Sequence, residues 1–259
     1  MAFDFKKEYK EFYMPKKKPE IVNVPRANYI AVRGVGDPNE EGGNYKAAIG
    51  LLYAIAFTLK MSRRAGHEIE GFFDYVVPPL EGFWWQPGIT QQRVAGSGKN
   101  AQPEGSVEQM DSEQLGCDLK QVATCGLDYS RKADFHWISV IRLPDFIRKE
   151  DFEWAVAEAE RKKKMDCSKV EFLTIDEGLC VQIMHIGAYD DEPASIALMD
   201  AYLEQEGYAN DFSKIEPEVK WEALDFSSVR LHHEIYLSDA RKVEPARRKT
   251  VIRHPIRKK

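Results

Sequence analysis

The sequence predicts an α+β chain made of two strand–helix–strand–strand modules, with antiparallel sheets, helices on one face and a central cleft. Three observations predict it. Two stretches, about 28–85 and 179–236, run through the same order: a strand, a glycine-bearing turn, a helix, then a strand holding one glutamate. The interval from Gly34 to Glu81 equals that from Gly187 to Glu234, 47 residues in both. Between them, runs of strand-forming residues bounded by Gly, Pro and Asp alternate with stretches whose apolar residues recur at helical spacing. The 259 residues, 43% hydrophobic and 31% charged, suit one domain with a full core. The first module is placed at about 27–143, with an insertion at 86–134, and the second at about 144–257.

Residues 1–26 read as an extended leader with one amphipathic turn. The run NYIAVRGV, Asn28–Val35, is the first strand, stopped by Gly36, Asp37 and Pro38. Asn44 is placed as the N-cap of a helix from Tyr45 to about Met61, with Tyr45, Ala48, Leu52, Ile55, Ala56 and Leu59 on its buried face. Pro78-Pro79 breaks the chain, because proline cannot donate to a ladder, and Leu80, Glu81, Phe83 and Trp84 form the next strand. Residues 86–134 are rich in Gln, Gly, Ser and Lys and read as a long loop or lid, with a short helix near 111–122. In the strand Phe135–Leu143, Trp137, Ser139 and Ile141 face one way, while His136, Ile138, Val140 and Arg142 face the other.

A helix follows over Lys149–Lys164, with Phe152, Ala155, Val156 and Ala159 as its apolar stripe. Val170–Ile175 and Leu179–Ile186 read as a hairpin turning through Asp176-Glu177-Gly178. Asp190 or Asp191 caps the next helix, Pro193 sits in its first turn, and Gly207 ends it. The strand HHEIYLSD, His232–Asp239, comes next, and a last strand lies near Thr250–Ile256.

Composition excludes several classes. No run of about 18 apolar residues crosses a membrane, and the N-terminus lacks a signal-peptide core. A net charge of −5 argues against a nucleic-acid binder. Cys117, Cys125, Cys167 and Cys180 form no Cys-x-x-Cys pair and read as reduced thiols of a cytoplasmic protein. His185, His232 and His233 lack the Asp or Cys spacing of a metal set, so no metal and no cofactor is expected. Ser195 and Ser238 lack a nucleophile elbow, and Gly34-x-Gly36 lacks the rest of a dinucleotide fingerprint. The reading leaves room for a homodimer.

Glu234 and Glu81 are candidate catalytic groups, because a carboxylate inside an apolar strand is costly unless paired or used. Glu192, beside the helix start in YDDEP, is the third. Aromatic candidates for holding a ligand are Trp84, Trp85, Tyr236, Tyr45, Tyr189 and Trp137, with His185 added. Trp84 and Trp85 adjoin, so one lines the cleft and the other packs elsewhere. Tyr236 shares a face with Glu234.

The stretches NYKAAIGLLYAIAFTLKM, DYVVPPLEGFWW, MHIGAYDDEPASIALMDAYLEQEGY and HHEIYLSDARKVEPARRKTVIRHPIR resemble the GyrI-like small-molecule-binding proteins. These are stand-alone relatives of the effector-binding domains of multidrug-responsive regulators. The resemblance spans most of 20–85 and 135–257 and implies the duplicated (SHS2) fold. It implies that Glu234 is the pocket glutamate, and carries Glu81 and the aromatic residues less directly. The longer 86–134 connection departs from the family, and the leader is too short for a helix-turn-helix. The resemblance implies a cofactor-free hydrolase that opens cyclopropane-bearing electrophiles by glutamate acid–base catalysis. Its alternatives are a non-catalytic binder of hydrophobic aromatic or cationic drugs, and a protein-interaction module such as a gyrase inhibitor.

Overall fold

The computed structural model describes residues 2–87, 127–215, 224–227 and 229–259. Residues 88–126 of the expected lid, with the helix near 111–122, lie outside them. Two one-turn helices, α1 (Phe5–Glu8) and α2 (Lys10–Tyr13), open the chain. Next come β1 (Glu20–Val24), β2 (Ala27–Val35), α3 (Asn44–Lys60), β3 (Leu80–Trp85) and β4 (His136–Arg142). The helix α4 (Lys149–Lys163) precedes β5 (Val170–Ile175), β6 (Gly178–Ile186) and α5 (Glu192–Glu206). The chain ends with β7 (Tyr208–Asn210), β8 (His232–Tyr236) and β9 (Lys249–Lys258). No helix among the described residues is long and apolar enough to cross a membrane.

All strand pairs are antiparallel, in the order β1-β6-β9-β8-β3-β4-β2-β5, with β7 added beside β9. The module β2-α3-β3-β4 and the module β6-α5-β8-β9 therefore meet at the β3–β8 ladder, and the order reads alike outward from that pair. The three long helices lie on one face. Leu52, Ile55 and Leu59 of α3, Phe152, Ala155 and Ala159 of α4, and Ile196, Met199 and Leu203 of α5 share a core with Ile30, Trp137, Ile183 and Ile252 of the sheet. The opposite face carries two further clusters, one around Phe83, Trp85 and Ile138 and one around Phe12, Tyr13, Met184 and Ile235.

Three expectations need correcting. The leader is not simply extended: Phe5, Phe12 and Tyr13 are buried against the second face, and β1 pairs along β6. Second, β5 and β6 make no hairpin. β5 pairs with β2, while β6 lies between β1 and β9. Their junction does not close as a turn because the Glu177 carboxylate is drawn inward onto His233 and Arg253. Ile175 and Gly178 are only three residues apart, a reach of at most about 11 Å. The outermost strand at one end thus comes close to the penultimate strand at the other, so the sheet is strongly curled.

Third, the duplication is real in topology but its register differs from the sequence spacing. The turn glycines that end β2 and β6 are Gly36 and Gly187, both with positive φ (116° and 159°). Gly34 lies inside β2, where a Cβ would fall within 2.7 Å of three Trp137 ring atoms. Val32, Ser139 and Gly82 form a row across β2, β4 and β3. Ile183, Ile252 and Glu234 form the matching row across β6, β9 and β8, and Gly82 faces Glu234 at the joint. The counterpart of Glu234 is therefore Gly82. Glu81, one residue off, points to the other side of the sheet, because successive strand side chains alternate.

Candidate functional site

Strand β8 is buried on both faces: His232, His233, Glu234 and Ile235 are all at most 6% exposed. His232, Glu234 and Tyr236 share the helix face; His233 and Ile235 take the other. At the joint, Gly82 leaves the space above the row to its neighbours' side chains. A Cβ there would lie 2.8 Å from Trp84 Nε1 and 3.0 Å from Tyr236 Oη. The absent side chain lets those two groups meet, and Trp84 Nε1 donates to Tyr236 Oη at 2.9 Å.

Glu192, the first residue of α5, reaches the same place and is fully buried. Its Oε2 accepts from Tyr129 Oη at 3.2 Å. Its Oε1 is buried with no hydrogen-bond partner among the described residues. Burial first, and the Glu234 charge second, raise the Glu192 carboxyl well above its ordinary value. Glu192 therefore holds its proton more tightly than an ordinary carboxyl does. His232 Nε2 lies 3.0 Å from Glu234 Oε1, and His232 Nδ1 lies 2.7 Å from His254 Nε2. Ligand-type atoms of Glu192, His232 and Glu234 lie within 4.8 Å of one another. The sequence spacing did not show this set as one that could hold a cation, because Glu192 is remote in the chain.

Aromatic rings wall the site. Tyr45 lies 5.4 Å from Trp84 and packs edge-on to Trp137 at 5.0 Å. Tyr189 meets Tyr236 edge-on at 5.7 Å, with the Arg248 guanidinium 5.4 Å over its ring. Burial and the Glu234 charge push the Tyr189 hydroxyl up to about 12 and raise Tyr236 too, so both stay protonated and can donate.

Of the residues singled out from sequence, Glu234, Glu192, Tyr236, Trp84, Tyr45 and Tyr189 come together here. Trp137 stands behind Tyr45 in the core. Trp85 lies on the opposite face near His136 and Phe226. His185 is spent on structure: Nε2 faces Ala188 O at 3.0 Å and Nδ1 faces Ser195 Oγ at 2.9 Å, tying β6 to the start of α5. Glu81 belongs to a separate buried network. Its Oε2 is 3.0 Å from His233 Nε2, and its Oε1 accepts from Tyr13 Oη at 3.0 Å. The reading missed His232 and His254 as site members, and Tyr129 from the end of the insertion. The i,i+2 spacing of His232 and Glu234 on a strand was a usable signal for the first. None marked the other two.

A family model for the GyrI-like small molecule binding domain matches residues 148–223. Among solved structures, the chain is similar to a hydrolase from Listeria innocua, at 36% identity and TM-score 0.72. It is similar to an uncharacterized conserved protein from the same organism, at 37% and 0.73, and to a hydrolase encoded by lin2189 there, at 36% and 0.74. Each alignment covers 99% of this chain and 100% of the other. No protein of curated function matches.

Proposed function

The chain belongs to the GyrI-like small-molecule-binding domain family, and from that premise we propose that it is a hydrolase acting on an electrophilic, aromatic small molecule without a cofactor. The observation that carries the reading is the carboxylate pair. Glu192, its carboxyl raised by burial and by the Glu234 charge, stands beside Glu234 in a buried site walled by Tyr45, Trp84, Tyr189 and Tyr236. A carboxyl raised in this way can serve as the acid while its neighbour serves as the base. The likeness to Listeria innocua proteins described as hydrolases, along the whole chain, supports the same class.

Cyclopropane-bearing electrophiles conjugated to a carbonyl fit this chemistry. Glu234 takes a proton from water as the water oxygen bonds to the ring carbon. The strained C–C bond breaks, and its electrons pass through the conjugated system to the carbonyl oxygen. That oxygen accepts the Glu192 proton and becomes a hydroxyl. Proton transfer from Glu234 back to Glu192 restores both groups, and the net change is addition of one water. Acid–base assistance of this kind contributes roughly 10²–10⁴-fold, and ring strain lowers the remaining barrier. The aromatic walls orient a flat substrate by stacking.

The test is a panel of cyclopropane-bearing alkylators with product detection by mass spectrometry. Expected is a product heavier by one water, formed by the wild type. Glu234→Gln should bind the same compound, by tryptophan fluorescence quenching, yet lose roughly 10²–10⁴-fold in single-turnover rate. Binding without turnover in the wild type would leave a sequestering protein. Retention of a partner such as gyrase, indifferent to substitutions in the site, would favour an interaction module.

A further inference from the structure

His232 and His254 sit behind Glu234, and their proton positions can be deduced from one unpartnered atom. Both rings are buried, at 1% and 0% exposure. The 2.7 Å gap between His232 Nδ1 and His254 Nε2 holds one proton. The other nitrogen of His254, Nδ1, is buried with no hydrogen-bond partner among the described residues. Phe212 packs against that ring, with centroids 4.9 Å apart. A proton on this nitrogen would be a buried donor without an acceptor, which costs its full desolvation. A bare lone pair there is the smaller penalty. Neutral His254 therefore carries its proton on Nε2 and donates it to His232 Nδ1. His232 must then carry its own proton on Nε2, where Glu234 Oε1 accepts it at 3.0 Å.

We propose that His254 is a positioning residue: by fixing the tautomer of His232, it holds Glu234 in one orientation as the acceptor of the His232 Nε2 proton. One Glu234 oxygen is engaged by His232, leaving the other for water or substrate. The same deduction argues against a resident cation on Glu192, His232 and Glu234, although their spacing allows one. A metal on His232 Nε2 needs a lone pair there. The proton would then move to Nδ1, His254 Nε2 would become the acceptor, and His254 Nδ1 would be left as the orphaned N–H. The kinetic consequence rests on the hydrolase reading; the proton arrangement does not.

The experiment is ¹⁵N-imidazole NMR on the full chain, with the His232 and His254 signals assigned by single substitutions. In the wild type, His232 and His254 should both show the neutral Nε2–H pattern. Equimolar Zn²⁺ should leave the His232 signals in place. His254→Phe should convert His232 to a mixture of tautomers and lower kcat by ~10-fold with KM unchanged. His254→Gln, whose amide can donate to His232 Nδ1, should restore both the pattern and kcat. An imidazolium or Nδ1–H pattern for His232 in the wild type overturns the proposal, as does a zinc-induced shift of its Nε2 signal. These wild-type spectra need no variant to fold. If no compound is turned over, the hydrolase reading fails while the spectra still decide the proton arrangement.

Discussion

The two faces of β8 handle buried charge in opposite ways. Away from the long helices, charges alternate around His233 and Arg253. His233 lies between Glu81 and Glu177 at 3.0 and 2.8 Å, and Glu177 meets Arg253 at 2.9 Å. Arg253 also donates to Gln182 Oε1 and to Phe12 O. Because both His233 nitrogens face carboxylates, both must carry protons, and the ring is an imidazolium. Burial alone would lower His233, but Glu177 and Glu81 more than offset it and hold the ring above its ordinary value. On the helix face, carboxyl meets carboxyl, and one oxygen of Glu192 and one nitrogen of His254 lack partners among the described residues. A network of alternating charge fixes the chain; a carboxyl pair with spare valences is a reservoir for chemistry. The first face should therefore report in stability and the second in turnover.

The largest effect expected is on the first face. Arg253→Met leaves Glu177 with His233 alone, and leaves Gln182 Oε1 and Phe12 O without the Arg253 donor. Removing one partner of a buried ion pair costs about 3–5 kcal/mol. Urea unfolding followed by tryptophan fluorescence measures it. A loss below about 1 kcal/mol would mean that the network is not structural, and the contrast between the faces would collapse.

That network also marks where the sequence stopped being legible. The helices, most strands and the duplication follow from periodicity and turn residues, because each is a local pattern. Glu234 could be singled out because a carboxylate between apolar strand residues is conspicuous. Its counterpart could not be counted out from sequence. The true turn glycine, Gly36, lies 46 residues before Gly82, whereas Gly187 lies 47 before Glu234, so the equal interval counted from Gly34 lands one residue off the true register. In a strand, one residue changes the face, and so Glu81 was expected in the cleft. The β5–β6 hairpin failed for a related reason. Asp176-Glu177-Gly178 has turn composition, but the pull on Glu177 comes from His233 and Arg253, far along the chain. His254 and Tyr129 join the site only through tertiary packing.

The next effect separates the faces by pH. Glu192 has an ordinary value of 4.5 in the unfolded chain, and burial with Glu234 raises it in the folded protein. Between those values the folded state holds a proton that the unfolded state lacks. Stability therefore falls as pH rises, by about 1.4 kcal/mol per pH unit, until the folded value is passed. Glu192→Gln removes this slope, so the variant should gain on the wild type from about pH 5 upward. His233 adds stability that is full below its unfolded value of 6.5 and is lost as pH rises through its raised folded value. Glu177 acts in the reverse direction. Burial opposes its ionisation, but His233 and Arg253 lower it to about 2, so its contribution is present above 4.5 and lost on acidification. Both of these remain in the variant. Urea midpoints at pH 5, 7 and 9 measure the gap between variant and wild type; a gap that does not widen with pH removes the raised carboxyl from the site.

The smallest effect tests whether one chemical change reads differently on the two faces. Tyr13 Oη donates to Glu81 Oε1 on the first face, and Tyr236 Oη accepts from Trp84 Nε1 on the second. Tyr13→Phe removes a hydrogen bond to a buried carboxylate and should cost about 1–2 kcal/mol of stability, with turnover unchanged. Tyr236→Phe removes a hydroxyl that shares the strand face of Glu234 and should lower turnover. The two variants are compared by urea unfolding and by single-turnover rate under the same conditions. If Tyr13→Phe slows turnover as much as Tyr236→Phe does, the faces are coupled through β8, and the leader that carries Tyr13 then belongs to the functional site.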